Sequence, residues 1–318
     1  MPVIPWPSLR RVLLLAPVIC AGIASGAAAA DPVAIETWPS NVPFPAINRE
    51  PTLFIADGAP SDDRRVVAIT FLDDQVRPRL CSGLYIDALH VLTAKHCTCH
   101  KNGYGVTNDG DVLDPKSVWT GARLEPGNQG GAPCTRLADF NMAEGNDIAL
   151  LTLERPLSDG DKGRTCAGYS LLQNVRLFDI WRRWGLGIAM ISGYGRDPVN
   201  GGPQTIRRRA KVKINSPDCR VAAAKALGCV PYREMILGLS LSPRDRTDSC
   251  IGDSGGTAYL DYQGTMVPIG IVSRAVRGSS RQCGAGGVYT MLGRADVTAW
   301  LNRRLRPSAD PTCGHRTR

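Results

Sequence analysis

The run Asp248-Ser249-Cys250-Ile251-Gly252-Asp253-Ser254-Gly255-Gly256 constrains this chain more than any other stretch. Three glycines crowd one serine, a composition that favours a tight turn with the Ser254 side chain lifted clear of the backbone. A serine hydroxyl is a weak nucleophile in water. It becomes effective beside a base and beside donors for the oxyanion it creates. Gly252 carries no Cβ, so its N–H can turn outward and join that of Ser254 in facing a developing alkoxide. Ser254 is therefore the candidate nucleophile, and the amides of Gly252 and Ser254 are the candidate oxyanion hole.

A base has to come from one of four histidines: His90, His96, His100 and His315. His96 ends the apolar run Val91-Leu92-Thr93-Ala94-Lys95-His96-Cys97, which reads as a strand leading into a cysteine. Its imidazole needs an acceptor that fixes the tautomer and balances the charge it takes on. Asp147 fits that role. It heads Ile148-Ala149-Leu150-Leu151-Thr152-Leu153, a strand too apolar to hold a carboxylate without a partner. The order His, Asp, Ser is one of the chain orders known for such a triad.

Three motifs, Thr93-Ala94-Lys95-His96-Cys97, Asn146-Asp147-Ile148-Ala149-Leu150 and Asp248 to Gly256, resemble those of the chymotrypsin/trypsin-like serine endopeptidase family. Ser192-Gly193-Tyr194-Gly195 and Gly287-Val288-Tyr289-Thr290 add to the resemblance, which spans roughly residues 61–306. It implies an all-β fold of two six-stranded antiparallel β-barrels followed by a C-terminal α-helix. It also implies peptide-bond hydrolysis through an acyl-enzyme, needing no metal or cofactor. The residue six before the nucleophile, Asp248, then sits at the base of the specificity pocket and selects Arg or Lys before the scissile bond. Gly287 keeps the opposite wall open. Ser273-Arg274-Ala275 stands where Ser-Trp-Gly is usual, so the Ala275 methyl is expected to narrow the entrance. Arg274 is expected to repel a cationic side chain or neutralise its partner. In the family, the residue corresponding to Asp253 pairs with an ammonium released by cleavage before an Ile-Val-Gly-Gly type sequence. The nearest candidate here is Ile55-Ala56-Asp57-Gly58, so either cleavage falls at an unusual site in residues 49–66 or Asp253 has an internal partner.

At 318 residues and 43% hydrophobic content the chain can bury a full core, and 34 glycines with 23 prolines favour turns over long helices. Residues 1–30 carry Arg10 and Arg11, an apolar Val12 to Ile19 core and Ala28-Ala29-Ala30 before Asp31, the pattern of a secretory signal cut after Ala30. They are too short and too rich in Gly and Ala for a stable membrane span, so the mature chain is expected to be secreted or periplasmic with no span. Their removal lowers the formal charge from +9 to about +7. No recognised nucleic-acid-binding motif accompanies that charge, so the expected partner is a protein or peptide substrate rather than nucleic acid.

Residues 31–60 read as a propeptide or extended arm, 61–186 as a first barrel, 187–293 as a second, 294–306 as the helix and 307–318 as a basic tail. Residues 171–181 have partial helical spacing and read as the connector. The glycine-rich stretch 98–135 is expected to wall the cleft. Of eleven cysteines, Cys20 leaves with the signal, and ten suit a disulfide framework in an oxidising compartment. The resemblance suggests Cys81 with Cys97 and Cys250 with Cys283. Cys219 with Cys229 closes a local loop, and Cys99 with Cys134 and Cys166 with Cys313 remain by elimination. Two readings compete with hydrolysis. One is a metal or haem site at His96-Cys97-Thr98-Cys99-His100, whose spacing is wrong for haem attachment. The other is a catalytically inactive binding protein of the same fold, for which Lys95 in place of the usual small residue leaves room.

Overall fold

A segment whose apolar residues alternate with charged ones can form a strand with one face in a core and the other in water. In Arg208–Ser216, Ala210, Val212 and Ile214 are buried, whereas Arg209, Lys211 and Lys213 are exposed. Among the described residues, strands of this kind stand beside fully buried ones such as Glu234–Leu237. The computed structural model describes residues 55, 58–72, 78–87, 89–98, 104–107, 112–113, 115–120, 145–153, 155–157, 187–195, 207–239, 247–262, 264–279 and 283–305. The expected signal segment, the connector at 171–181, the basic tail, His100, His315 and the pairings of Cys99, Cys134, Cys166 and Cys313 lie outside the described residues. So does most of the 31–60 arm.

Seven strands of the first half share one antiparallel sheet. They are β2 (Val66–Leu72), β3 (Pro78–Asp87), β4 (His90–Thr93), β5 (Tyr104–Thr107), β6 (Val112–Leu113), β7 (Pro115–Thr120) and β8 (Ala149–Leu153), and their order across the sheet is β6-β5-β2-β3-β4-β8-β7, after β1 (Ala59–Pro60) in the chain. The second sheet contains β9 (Ile188–Gly193), β10 (Arg208–Ser216), β11 (Glu234–Leu237), β12 (Thr257–Tyr262), β13 (Thr265–Ala275) and β14 (Gly287–Met291). Pairing of β9 with both β12 and β10 closes these six strands into a barrel. Strand β1 joins as a seventh, pairing Ala59 with Arg209 and Pro60 with Arg208. The last two residues of the extended arm are thus paired with the second barrel, a pairing that its Pro- and Ala-rich composition did not announce.

Ile55, Ala189, Ile191, Val212, Leu237, Leu260 and Ile269 fill part of the second barrel's core. The largest core cluster among the described residues joins β2, β3, β4 and β8 to Tyr259 and Ile271 of the second sheet and to Tyr194 just after β9, so it runs across the seam between the lobes. The terminal helix α2 (Ala295–Arg304), which follows the short helix α1 (Ala222–Ala226), buries Val297, Trp300 and Leu301 in that same cluster. These positions share one face at helical spacing. Asp296 in its first turn and Arg303 and Arg304 in its last suit the helix dipole. No helix among the described residues is long and apolar enough to cross a membrane. Cys81 is bonded to Cys97, Cys219 to Cys229 and Cys250 to Cys283, as expected.

Candidate active site

The candidate residues come together where β3, β4 and the segment before β8 meet the serine turn and Ser273 of the second sheet. Strand β4 delivers Thr93, after which a single 3-10 turn (Lys95–Thr98) sets His96 at the surface of the lobe while Lys95, Cys97 and Thr98 are buried. The Cys81–Cys97 disulfide ties that turn to β3. Asp147, with no exposed side-chain surface, immediately precedes the apolar β8 segment. Its Oδ2 lies 2.8 Å from His96 Nδ1, and its Oδ1 accepts the His96 backbone N–H at 3.0 Å. Ser273 donates its hydroxyl to Oδ2 at 2.6 Å, and Thr290 Oγ1 donates to the Asp147 carbonyl at 3.2 Å. Burial works against the charge of Asp147. The charge of His96 and the hydrogen bonds of His96 and Ser273 outweigh it and hold the carboxyl below its ordinary value.

The Ser254 turn docks on the same loop. Its carbonyl accepts the Ser82 N–H at 2.7 Å and stands 3.7 Å from Cys97 Sγ. Gly255 adopts φ +82°, and a Cβ there would run into the Ser82 carbonyl and Thr93 Oγ1, so both backbone conformation and packing require glycine. Ser82 Oγ also donates to the Gly252 carbonyl at 3.0 Å and accepts the Tyr194 N–H at 2.8 Å, joining the serine turn to both lobes. Inside the turn, the amides of Asp253, Gly255 and Gly256 donate to the carbonyls of Cys250, Val272 and Asp253. The amides of Gly252 and Ser254 are not among these internal donors, and Gly252 sits at φ +97°.

Asp253 turns inward. Its carboxyl accepts the amides of Gly195 at 2.7 Å and Cys250 at 2.8 Å, and burial pushes it up to about 7. These two amides are an internal set of partners, one of the two arrangements expected from the sequence. Asp248 is buried with Ser249 Oγ and the Tyr289 hydroxyl each 3.4 Å from Oδ1. Burial pushes this carboxyl up to about 7 as well, against the pull of the Ser249 and Gly286 amides. A Cβ on Gly287 would stand 2.8 Å from the Tyr289 ring, 2.9 Å from Ser249 Oγ and 3.4 Å from Asp248 Oδ1, so glycine keeps space beside the acid. Ala275 is exposed and pairs with Gly287 in register.

Arg274 departs from its expected behaviour. Its guanidinium does not turn to Asp248 but grips Glu234 at 2.6 and 2.8 Å and donates to the Gly228 carbonyl at 2.6 Å and to Ser273 Oγ at 3.1 Å. Glu234, with no exposed side-chain surface, was not singled out in the sequence. Nor was Arg294, a buried arginine that donates to the Gly145 carbonyl and Asn146 Oδ1 at 2.7 Å each, just before Asp147. A charged residue in a single sequence reads as solvated surface, so no sequence signal marked either one. His90 pairs with Asp87 at 2.7 Å. Cys81, His96 and Cys97 hold their possible ligand atoms within 4.8 Å of one another, but both sulfurs are consumed by their disulfide and cannot act as thiolate ligands.

Six strands closed into a barrel, a second antiparallel sheet and a terminal helix define an all-β protein of the chymotrypsin-like class, with a His-Asp pair and a glycine-bounded serine at the junction. Solved structures of the same fold include HL collagenase (15% identity, TM-score 0.51) and GrC (17% identity, TM-score 0.55), each aligned over 78% of this chain and 97% of its own. The family profile described as Trypsin matches residues 57–301, and the chain belongs to this family of trypsin-like serine proteases. Among curated relatives, a proclotting enzyme of Tachypleus tridentatus is 26% identical over 76% of this chain, which spans 62% of that enzyme's length. A venom protease of Bombus pensylvanicus and human kallikrein-4 are each 25% identical over 72% of this chain, and 85% and 78% of their own lengths are covered.

Proposed function

We propose that this protein is an exported serine endopeptidase in which Ser254 attacks the peptide carbonyl. His96 takes the serine proton and returns it to the leaving amine, and Asp147 holds the imidazole in the tautomer that makes this possible. Water then clears the acyl-enzyme by the same route in reverse. The amides of Gly252 and Ser254 receive the oxyanion. The observation that carries the reading is the 2.8 Å contact of His96 Nδ1 with a fully buried Asp147, on a loop to which the Ser254 turn is itself docked.

Asp248 supports a preference for Arg or Lys before the scissile bond. A buried acid beside a pocket wall that lacks a Cβ suits a long cationic side chain, and the commitment of Arg274 to Glu234 leaves Asp248 to the substrate. Ser273 and Ala275 would line the path of the bound peptide, with Gly287 opposite. Export rests on the signal-like residues 1–30 and agrees with the disulfides of the fold. Two routes to activation belong to this reading: cleavage at an unusual site in residues 49–66, or no cleavage, with the Gly195 and Cys250 amides as the internal partners of Asp253.

A fluorophosphonate probe should label the secreted chain, and Ser254→Ala should abolish the labelling. A peptide-library digest should show cuts after Arg and Lys. A folded protein that neither labels nor cuts would be an inactive binding member of the family instead.

A further inference from the structure

We propose that Arg274 is a positioning residue for the catalytic pair: it locks the Ser273 hydroxyl in the rotation that donates to Asp147, and thereby holds Asp147 in place for His96. This rests on the reading of His96, Asp147 and Ser254 as the reacting groups. A hydroxyl has one proton to give, whereas a guanidinium has only protons to give. Arg274 Nη1 reaches Ser273 Oγ at 3.1 Å, so that oxygen accepts on this side and its single proton is directed to Asp147 Oδ2, 2.6 Å away. The same Oδ2 faces His96 Nδ1 at 2.8 Å.

Arg274 is itself anchored by three hydrogen bonds to two partners. Glu234 takes both arms of its fork, and the Gly228 carbonyl takes another N–H. Glu234 in turn accepts the Val230 N–H at 2.8 Å. The guanidinium side chain is one-fifth exposed, and Glu234 and Asp147 not at all, so the attraction is little screened. Two buried carboxylates would otherwise repel across this short relay, as the upward push of burial and of the Asp147 charge on Glu234 indicates. Arg274 draws the Glu234 carboxyl down against that push and orients the serine between the two acids.

Removing Arg274 alone would strand Glu234 uncompensated in the interior and threaten the fold. The informative variant is therefore Arg274→Gln with Glu234→Gln, an uncharged pair, made in the full chain and again on a Ser273→Ala background. Two readouts apply: the downfield proton resonance of the His96–Asp147 hydrogen bond, and kcat and KM on a small activated ester that does not extend along the cleft. The double variant should shift or broaden the resonance and lower kcat about tenfold while KM stays within about twofold. On Ser273→Ala the same change should cost under about twofold, because the relay is already cut. Arg274→Lys, which restores charge opposite Glu234, should recover part of the loss. An unshifted resonance, a loss confined to KM, or an equal loss on the Ser273→Ala background would overturn the proposal. Failure of the wild-type chain to turn over the ester or to label at Ser254 would instead sink the hydrolase reading, and the resonance comparison would still decide the role of Arg274.

Discussion

Asp248 shows how one residue's surroundings set both its charge and its use. Burial pushes its carboxyl up to about 7, the Ser249 and Gly286 amides pull it down, and the negative charge of Asp253 adds to the rise. A bound cation favours the ionised form, so binding should draw a proton off. The affinity of a small amidinium ligand is therefore predicted to climb as pH rises through about 7, by up to about tenfold per pH unit below that value. Calorimetry in two buffers of different ionisation enthalpy reads the released proton directly. Asp248→Ser should flatten the slope; an unchanged slope would mean that the ligand sits elsewhere.

The elements matter here chiefly through what they carry to the cleft. Helix α2 lies far along the chain from His96, yet its Trp300, with no exposed surface, fills the cluster beneath β2, β3 and β4. Trp300→Ala is predicted to destabilise the protein by about 3–5 kcal/mol, read from the urea midpoint. Arg294, at the N-terminal boundary of the same helix, holds the Gly145 carbonyl and Asn146 Oδ1 and so fixes the approach to Asp147. Arg294→Met would leave the Gly145 carbonyl without this donor and Asn146 Oδ1 with the longer Arg233 hydrogen bond of 3.1 Å. The expected cost is about 2 kcal/mol of stability together with a fall in kcat at nearly constant KM. A variant as stable and as active as the parent would show that Asn146 is held by other contacts.

At the scale of the molecule, two buried acids give the fold a distinctive response to pH. Asp248 and Asp253 are each pushed up to about 7, well above the 3.8 of an ordinary aspartate. The folded state consequently holds more protons than the unfolded chain between those values, so these groups' contribution is fully present below about pH 4 and is lost as pH climbs through 7. A tenfold difference in proton affinity between the folded and unfolded states is worth about 1.4 kcal/mol, and because the two acids interact their effects are not independent. The urea midpoint of the uncleaved chain should be higher at pH 5 than at pH 8, and Asp253→Asn should lessen that difference. Cleavage before Ile55 should do the same if the new ammonium reaches Asp253, because a buried cation would restore the acid's charge. Equal pH dependence before and after cleavage would argue for the internal amides as its only partners.

The sequence by itself determined several of the strands, the residues of the serine turn and the family, whereas β5, β6 and β7 lie in the glycine-rich stretch expected only to wall the cleft. Val66–Leu72 and the alternating Arg208–Ser216 announce strands through short-range patterning, and Gly252 and Gly255 announce the serine turn through backbone conformation. His96, Asp147 and Ser254 stood out because their immediate neighbours are diagnostic. Tertiary structure alone decided what long-range burial decides. It made Ala59–Pro60 a seventh strand of the second sheet, turned Arg274 away from Asp248 toward Glu234, and set Arg294 behind the Asp147 loop. The physical reason is common to all three. A local pattern encodes the conformation of its own segment, but the worth of a charge or an edge depends on which distant groups exclude water from it, and that is settled only when the sheets close.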